Sequence, residues 1–419
     1  MADNWEHIIL LSADALRADH LSCYGYHRET SPVIDELASE SIRFENAYSA
    51  SSHTREAVPA LLTGEYPDVA VDDNYRLATD TIASTLSEEG FATGGFHSNP
   101  FVSRAYGFGR GFDEFDDDLH LGKHKLIALA QRALDKLRNR HYARAEEINE
   151  RSLAWIDSLD SDQSFFLWNH YMDTHGPYEP PGKFATLYTD TRVSNRDSQS
   201  LYQRAIKKPR SISEEERQLL IDLYDAEIRY NDEQIGMFLK ALRERGLLDQ
   251  SLLIFTSDHG DAFGEHGYYE HPRYLHEELT HVPLLVRNMD DCSRRVAYPV
   301  STIDVVASIK DSAGYEVGDG RSLFNPSADR RVFSQARGEN DCTHIRRYVV
   351  RTRKGECFCE RNQKNGSLDV RDASHQSLRS DLEEHIDQRV STANDNDDEI
   401  TTNVDEDIER RLQALGYKE

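Results

Sequence analysis

HIILLSAD, residues 7–14, decides the fold. It is a short, almost unbroken apolar run that ends in a carboxylate. A run of this length and composition suits a strand buried on both faces, as in a parallel sheet covered by helices. Working outward, the same design recurs. FATGGFHSN (91–99) ends in His97 and Asn99, and SFFLWNHYMDTH (164–175) carries His170, Asp173 and His175. SLLIFTSDHGD (251–261) ends in Asp258, His259 and Asp261, and HVPLLVR (281–287) is a fifth run. Helical patterns lie between them: DELASE (35–40), TDTIASTLSEEG (79–90), much of 119–160, and a long amphipathic stretch opened by Ser213-Glu-Glu-Glu216 and stopped by Gly246. Ser213 and Glu216 have the spacing of a capping box. Alternating strands and helices give an α/β fold, a three-layer αβα sandwich with a mostly parallel central sheet.

The pattern changes near residue 325. RRVFSQAR, RRYVVRTR and ECFCERN alternate like antiparallel strands, with a helix expected at DLEEHID. The expected organisation is a catalytic α/β domain over 1–324, a small antiparallel C-terminal subdomain over 325–386, and an acidic linker with a terminal helix over 387–419. Residues 182–210 are polar and weakly periodic, and read as a mobile loop over the site.

The chain has 419 residues, 75 acidic against 49 basic, for a net charge of -26. That surface disfavours nucleic acid and anionic membranes as partners. The acids are spread along the whole chain, which favours a halophilic, salt-adapted coat over a single acidic tail. Five cysteines, an odd and sparse set, do not form a disulfide framework. Cys357-Phe-Cys359 lacks a second Cys/His pair at zinc-finger spacing and reads as ordinary strand. The N-terminal stretch shows no basic n-region or small-residue cleavage site and no run reaches about 20 apolar residues, so neither a leader nor a membrane span is expected. A cytoplasmic protein without an integral membrane segment is expected. Nothing in the sequence fixes an oligomeric state.

One Asp or His after a strand is ordinarily a turn or structural residue. Four such ends at one edge of one sheet are a different matter, because ligands of open α/β sheets bind beyond the strands' carboxyl ends. Gathered carboxylates repel, and a divalent cation (Ca, Mn, Mg or Zn) removes that cost. SSHTREAVPALLTG (51–64) adds a hydroxyl. By base rate Thr54 would cap a helix. Beside a metal and at a helix N-terminus it is also placed to attack an anionic sulfate, phosphate or phosphonate ester.

These residues resemble the sulfatase family of the alkaline phosphatase superfamily. The resemblance runs through SADALRADHLSCYGYHRETSPVIDELASESIRFENAYS, ALLTGEYP, HYMDTHGPY, VSTIDVVASIKDSAG and the terminal RRLQALGY. Its most specific part is YDAEIRYNDEQIGMFLKALRERGLLDQSLLIFTSDHGDAFGEHG. The acidic composition makes the chain look like a haloarchaeal-type member. The resemblance implies an alkaline-phosphatase-like fold and one divalent metal ion on Asp14, Asp258 and His259, with Thr54 beside it. It implies Thr54 at the nucleophile position, ten residues before Gly64, and His175 and His271 as substrate or leaving-group contacts.

Three departures shape the expectation. Ala15 stands where the family has a second acid, so one metal rather than two is expected. Thr54 stands where sulfatases carry the Cys or Ser that becomes formylglycine, which threonine cannot form. Val58 stands where the signature has Arg, a role Arg55 could partly fill. A Thr nucleophile resembles the nucleotide pyrophosphatase/phosphodiesterase and lipoteichoic-acid-synthase branches. The leading expectation is a hydrolase of phosphate, phosphodiester or phosphonate esters through a covalent Thr54 intermediate. The alternatives are a sulfatase without formylglycine, a phosphoglycerol- or phosphoethanolamine-type transferase, and a non-catalytic binding protein with a degenerate site. The substrate partner is a small-molecule, glycan or lipid-head-group anionic ester.

Overall fold

The structure is a computed structural model that describes residues 5–118, 142–287, 293–325, 327–371 and 376–393. Its main sheet has eight strands: β1 (His7–Ala13), β2 (Ile42–Phe44), β3 (Ala92–His97), β4 (Glu114–Asp116), β5 (Phe165–Tyr171), β6 (Ser251–Ser257), β7 (Leu284–Arg287) and β8 (Arg294–Val296). Their order is β8-β2-β7-β6-β1-β5-β3-β4. The run β6-β1-β5-β3-β4 is parallel, and β7 is antiparallel to both β6 and β2.

All seven residues of β1, β5 and β6 are buried, which accounts for their continuous apolar sequences. Alternate side chains enter two separate cores. Ile9, Leu11, Leu167 and Phe255 pack toward α1 (Pro32–Ser39), α4 (Ala145–Ile156), α5 (Asn195–Lys207) and α6 (Glu214–Glu244). Ile8, Leu10, Trp168 and Ile254 pack toward α2 (Thr54–Thr63), α3 (Ile82–Glu88) and α7 (Asp304–Ala313). Two cores on opposite faces of one sheet make the three layers expected from the sequence.

Helix α6 opens on the capping box: the Ser213 hydroxyl accepts from the Glu216 amide and Glu216 returns to the Ser213 amide. Gly246, with φ 73°, follows its C-cap. Residues 182–210, expected as a mobile loop over the site, contain regular structure. Gly182–Thr186 is a short 3-10 turn and Asn195–Lys207 is helix α5. Only Ser198, Leu201, Tyr202 and Ala205 of α5 are buried, so its apolar stripe is too thin to stand out among the polar residues.

The C-terminal part forms a separate antiparallel sheet in the order β9 (Val332–Arg337), β10 (Ile345–Thr352), β11 (Gly355–Asn362), β12 (Leu368–Arg371), packed on α8 (Gln376–Ala393). Cys357 and Cys359 are core residues here, beside Tyr348, Val350, Leu378 and Leu382. Helix α8 runs into the stretch expected as linker. The helix expected over 119–141 and the terminal helix lie outside the described residues. Among those described, no helix is long and apolar enough to cross a membrane.

Gly64 shows how tightly α2 is held. It ends the helix at φ 76°, and its N–H closes on the Ala60 carbonyl at 3.0 Å. A Cβ there would meet Val306 of α7 at 2.9 Å. Gly64→Ala combines left-handed strain with overpacking and is expected to destabilise by about 2 kcal/mol. Urea unfolding measures this, and a loss indistinguishable from zero would contradict the assigned contact.

Candidate active site

Strands β6, β1, β5 and β3 are neighbours, and their carboxyl ends deliver Asp258, Asp14, His170 and Asn99 to one place. Asp14 follows β1 and is wholly buried. One of its oxygens, Oδ2, accepts from Asn99 Nδ2 at 2.6 Å and from His170 Nε2 at 3.2 Å. The His170 tautomer is set from behind. Trp168 Nε1–H donates to the Ser12 hydroxyl, which donates in turn to His170 Nδ1 at 2.9 Å. Asp258 is held in the same fashion, with Oδ1 accepting from the amides of Ala15 at 3.1 Å and His259 at 2.9 Å.

Each carboxylate thus has one oxygen satisfied and one not. Asp14 Oδ1 and Asp258 Oδ2 are buried without a hydrogen-bond partner. His259 Nε2 lies 3.7 Å from the first and 3.4 Å from the second. The Nδ1 of His259 faces the Gly260 carbonyl at 3.0 Å, so in the neutral ring Nδ1 carries the proton and Nε2 presents a lone pair. The three ligand atoms all lie within 4.8 Å of one another. Two orphaned carboxylate oxygens and an imidazole lone pair converging in a buried space fit a divalent cation.

The electrostatics agree. Burial would raise the Asp14 carboxyl, but the imidazoles of His175, His170 and His259 outweigh it and hold Asp14 below the usual range. Asp258 goes the other way, raised by burial and then by the Asp14 charge. Two adjacent carboxylates separate in this manner when no cation lies between them. Burial opposes charge on His259, but Asp258 and Asp14 raise its pKa above the ordinary histidine value.

Thr54 is not the cap of α2. His53 is the N-cap, extended at φ −148° and ψ 136°, with its Nδ1 accepting from the Arg55 amide at 3.2 Å. Thr54 is the first helical residue and is fully buried. Its hydroxyl lies 3.1 Å from His259 Nε2, so the nucleophile candidate meets the ligand set at one atom. The sequence did not single out His53. Its ring stands 5.5 Å from His271 and 6.4 Å from His259, walling the same space. Burial, then the charges of Arg273, His271, Arg55 and His259, push its pKa well down.

His271 stands 4.5 Å from the His259 ring and 5.1 Å from His175. Its Nδ1 bonds Asp261 at 3.1 Å, and the other Asp261 oxygen takes the Tyr178 hydroxyl. Burial and the neighbouring His259 bring His271 down to about 4, against an opposing pull from Asp261, so it is uncharged at neutral pH. His175 Nδ1 donates to the Gly176 carbonyl at 2.6 Å. All the expected site residues (Asp14, Thr54, His175, Asp258, His259 and His271) therefore gather at one point. Asp173 does not. It faces away, toward Arg144 at 3.2 Å and the Ala145 amide at 3.0 Å. His97 also stands back, accepting from the Asn99 amide at 3.2 Å and packing on Phe115 and Trp168.

With this geometry in hand, the relatives are informative. The family model Sulfatase matches residues 6–315, and the chain belongs to the sulfatase family. An arylsulfatase of Clostridium perfringens is 26% identical over 312 residues, covering 62% of this chain and 64% of its own. Human iduronate 2-sulfatase is 27% identical over 334 residues, covering 66% of this chain and 58% of its own. The match to each of these two relatives thus spans less than two thirds of the relative's length. Among solved structures, the phosphonate monoester hydrolase of Silicibacter pomeroyi superposes with a TM-score of 0.68 at 20% identity. That match covers 94% of this chain and 96% of the other, and it establishes the common fold.

Two measurements, one on the site and one on the histidine behind it, need no turnover. Mn²⁺ or Zn²⁺ in large excess over its Kd is expected to raise Tm by roughly 5 °C, a response absent in Asp258→Asn. An equal rise in both proteins would remove Asp258 from the ligand set. The second concerns His97, which burial lowers from 6.5 to about 3. A depressed histidine contributes stability that is complete above pH ~6.5 and is lost as pH falls toward ~3, because the unfolded chain takes the proton first. Between pH 7 and 5 this loss is about 2 kcal/mol. Urea melts of His97→Gln should show a correspondingly shallower acid slope than the parent, and identical slopes would refute the assignment.

Proposed function

We propose that the chain is a metal-dependent hydrolase of anionic oxyacid esters in which Thr54 is the attacking group. The observation that carries this reading is the 3.1 Å approach of the Thr54 hydroxyl to His259 Nε2, within the orphaned carboxylate pair and at the first residue of a helix. The names of the curated relatives add sulfate esters to the candidate substrates, and the phosphonate hydrolase fold neighbour adds phosphorus esters.

One cation, held by Asp14, Asp258 and His259, would supply positive charge against an ester oxygen and favour the alkoxide form of a neighbouring hydroxyl. The chain's own residues do the rest. The backbone of α2 fixes Thr54, and the helix N-terminus favours an anion. Thr54 Oγ1 forms a bond to phosphorus or sulfur in line with the departing alcohol, whose bond to that atom breaks, and the Thr54 proton passes to solvent. His175 and His271 line the space. His271 is neutral in the free protein, and an arriving anionic ester favours its protonated form, which then donates to the leaving oxygen. Water resolves the ester on Thr54 and restores the hydroxyl.

Between the two ester classes, the Thr54 side chain favours phosphorus. A phospho-threonine hydrolyses by attack of water at phosphorus, whereas formylglycine-type release of sulfate needs an aldehyde hydrate that threonine cannot form. The sulfatase reading is supported by the family model over residues 6–315 and by the names of the relatives. A transferase differs only in which alcohol replaces water.

Purified protein loaded with Mn²⁺ or Zn²⁺ is assayed on aryl phosphate, bis-aryl phosphate, aryl phosphonate and aryl sulfate. Thr54→Ala is expected to lower kcat by about 10³-fold or more on whichever ester is cleaved. Full activity in Thr54→Ala sinks the covalent route, and turnover of sulfate alone sinks the phosphorus assignment.

A further inference from the structure

His271 and His175 stand together beside the ligand set, but they are backed differently. Behind His175 is a neutral acceptor, the Gly176 carbonyl, 2.6 Å from Nδ1. Behind His271 is a carboxylate, with Asp261 Oδ1 3.1 Å from Nδ1. Asp261 is fully buried and lies in the same turn after β6 that carries Asp258 and His259. A buried carboxylate is costly unless it is bonded, so its partners are informative. The second oxygen, Oδ2, takes the hydroxyl of Tyr178. Burial and the Asp261 charge push the Tyr178 hydroxyl well above its ordinary pKa, so it stays protonated and donates. Arg17 bonds the backbone carbonyl of Asp261 at 3.0 Å, and its other bonds go to Asp19 and Glu265.

The backbone builds this pairing. Ala262–Phe263 and Tyr269–Glu270 form a short antiparallel pair with Ala262 opposite Glu270. One step further along the same register, Asp261 comes opposite His271. The turn before it is tightly held. The Gly260 amide bonds the Leu279 carbonyl at 2.9 Å, and a Cβ on Gly260 would stand 2.2 Å from the Glu278 carbonyl. Tyr178 arrives from the loop after β5. Its ring lies 5.5, 5.3 and 6.0 Å from those of Tyr202, Tyr224 and Phe263, and its carbonyl accepts from Ser198 of α5 at 2.5 Å. Three separate parts of the chain therefore fix one carboxylate against one imidazole.

Two consequences follow from the chemistry of the acceptor. A carboxylate accepts and does not donate, so in the neutral ring of His271 the proton sits on Nδ1 and the lone pair on Nε2. A carboxylate behind Nδ1 also makes a charge-assisted bond to the ring once Nε2 gains a proton, which a carbonyl matches less well. His175, backed by a carbonyl, has the same tautomer without that support.

We infer that Asp261, steadied by Tyr178, is a positioning residue that fixes the tautomer and plane of His271, and that this makes His271 rather than His175 the imidazole that hands a proton to the leaving alcohol. The role rests on the ester-hydrolase reading above and narrows its choice of acid. The Nε2 proton of His271 passes to the alcohol oxygen as that oxygen's bond to phosphorus or sulfur breaks. When water resolves the ester on Thr54, the water gives a proton to Nε2. The released Thr54 oxygen takes one from solvent, which restores the starting state.

Metal-loaded full-length protein is assayed on two aryl esters of one acid, with para-nitrophenol and phenol as leaving alcohols. Nitrophenolate departs readily without a proton, and phenolate depends on one. In Asp261→Asn the amide oxygen still accepts from Tyr178, and the amide N–H turns to Nδ1 of His271 and reverses the tautomer. This is expected to lower kcat about 100-fold on the phenyl ester and less than about threefold on the nitrophenyl ester. Tyr178→Phe shifts the same ratio in the same direction by a smaller factor. In a His271→Gln background Asp261→Asn costs nothing further, because it acts through the missing ring. An equal fall on both esters, or a full fall in the His271→Gln background, assigns Asp261 to structure and overturns the role. A stronger leaving-group dependence in His175→Gln than in His271→Gln overturns the choice of imidazole. The tautomer is read without turnover by NMR of protein labelled at its histidine nitrogens, with His271→Gln locating the signal. A proton on Nδ1 in the wild type that moves to Nε2 in Asp261→Asn supports the positioning role, and a wild-type ring protonated on Nε2 refutes it. That tautomer shift in a chain that cleaves no ester leaves the positioning standing and removes the hydrolase reading.

Discussion

The repulsion between Asp14 and Asp258 is the constraint around which the molecule is organised. Two carboxylates at the ends of adjacent strands, both buried, are costly unless donors and a cation share their charge. The fold supplies the donors on the outer side of each. Asn99 and His170 take one oxygen of Asp14, while the Ala15 and His259 amides take one oxygen of Asp258. The opposite oxygens are left facing each other and His259. This requires the chain to turn sharply after Asp14, and Ala15 does so at φ 57°. That turn is fixed from the long helix α6, where the Tyr224 hydroxyl donates to the Ala15 carbonyl at 2.8 Å and accepts from the Arg17 amide at 2.9 Å. The parallel order of β6, β1, β5 and β3 and the length of α6 therefore both serve one pair of side chains.

The nucleophile candidate is supported from the other direction. The segment that leads into α2 is a shelf on which the C-terminal sheet rests. Gln335 N–H donates to the Ala50 carbonyl at 2.8 Å, Ser334 Oγ to the Ser49 carbonyl at 2.6 Å, and the Arg337 amide to Glu56. Glu56 is two residues from Thr54. The small sheet thus braces the first turn of α2, and α7 closes its far end at Gly64. Precision of this kind matters because in-line attack tolerates little misplacement of the attacking oxygen.

Much of this was legible in the sequence, for identifiable reasons. Strands buried on both faces leave unbroken apolar runs, so HIILLSAD and SLLIFTSD announced themselves and their terminal carboxylates. The capping box of α6 is a local signal and was readable for the same reason. Helix α5 was not, because its buried stripe has only four residues. His53 escaped notice because a cap is expected to be Ser, Thr, Asp or Asn, and Thr54 next door fitted that rule better. Asp173 and His97 misled in the opposite sense. They sit at the same strand ends as the residues that gather around Thr54, and only the direction of each side chain separates them.

Ala15 carries a consequence for charge. With Asp14 and Asp258 ionised and His259 neutral, the ligand set bears two negative charges, which one divalent cation balances. A second cation would have to be buried without a carboxylate to offset it, since the residue at position 15 contributes only its amide, and that amide is already committed to Asp258. A one-cation centre has less positive charge to set against an anionic ester than a two-cation centre has. On the proposed function, the deficit falls to protein groups around the same space: the N-terminus of α2, and the imidazoles of His175 and His271 once an anionic ester favours their protonation. On the proposed function, the acid missing at position 15 and the imidazoles and helix terminus around Thr54 are two sides of one electrostatic balance.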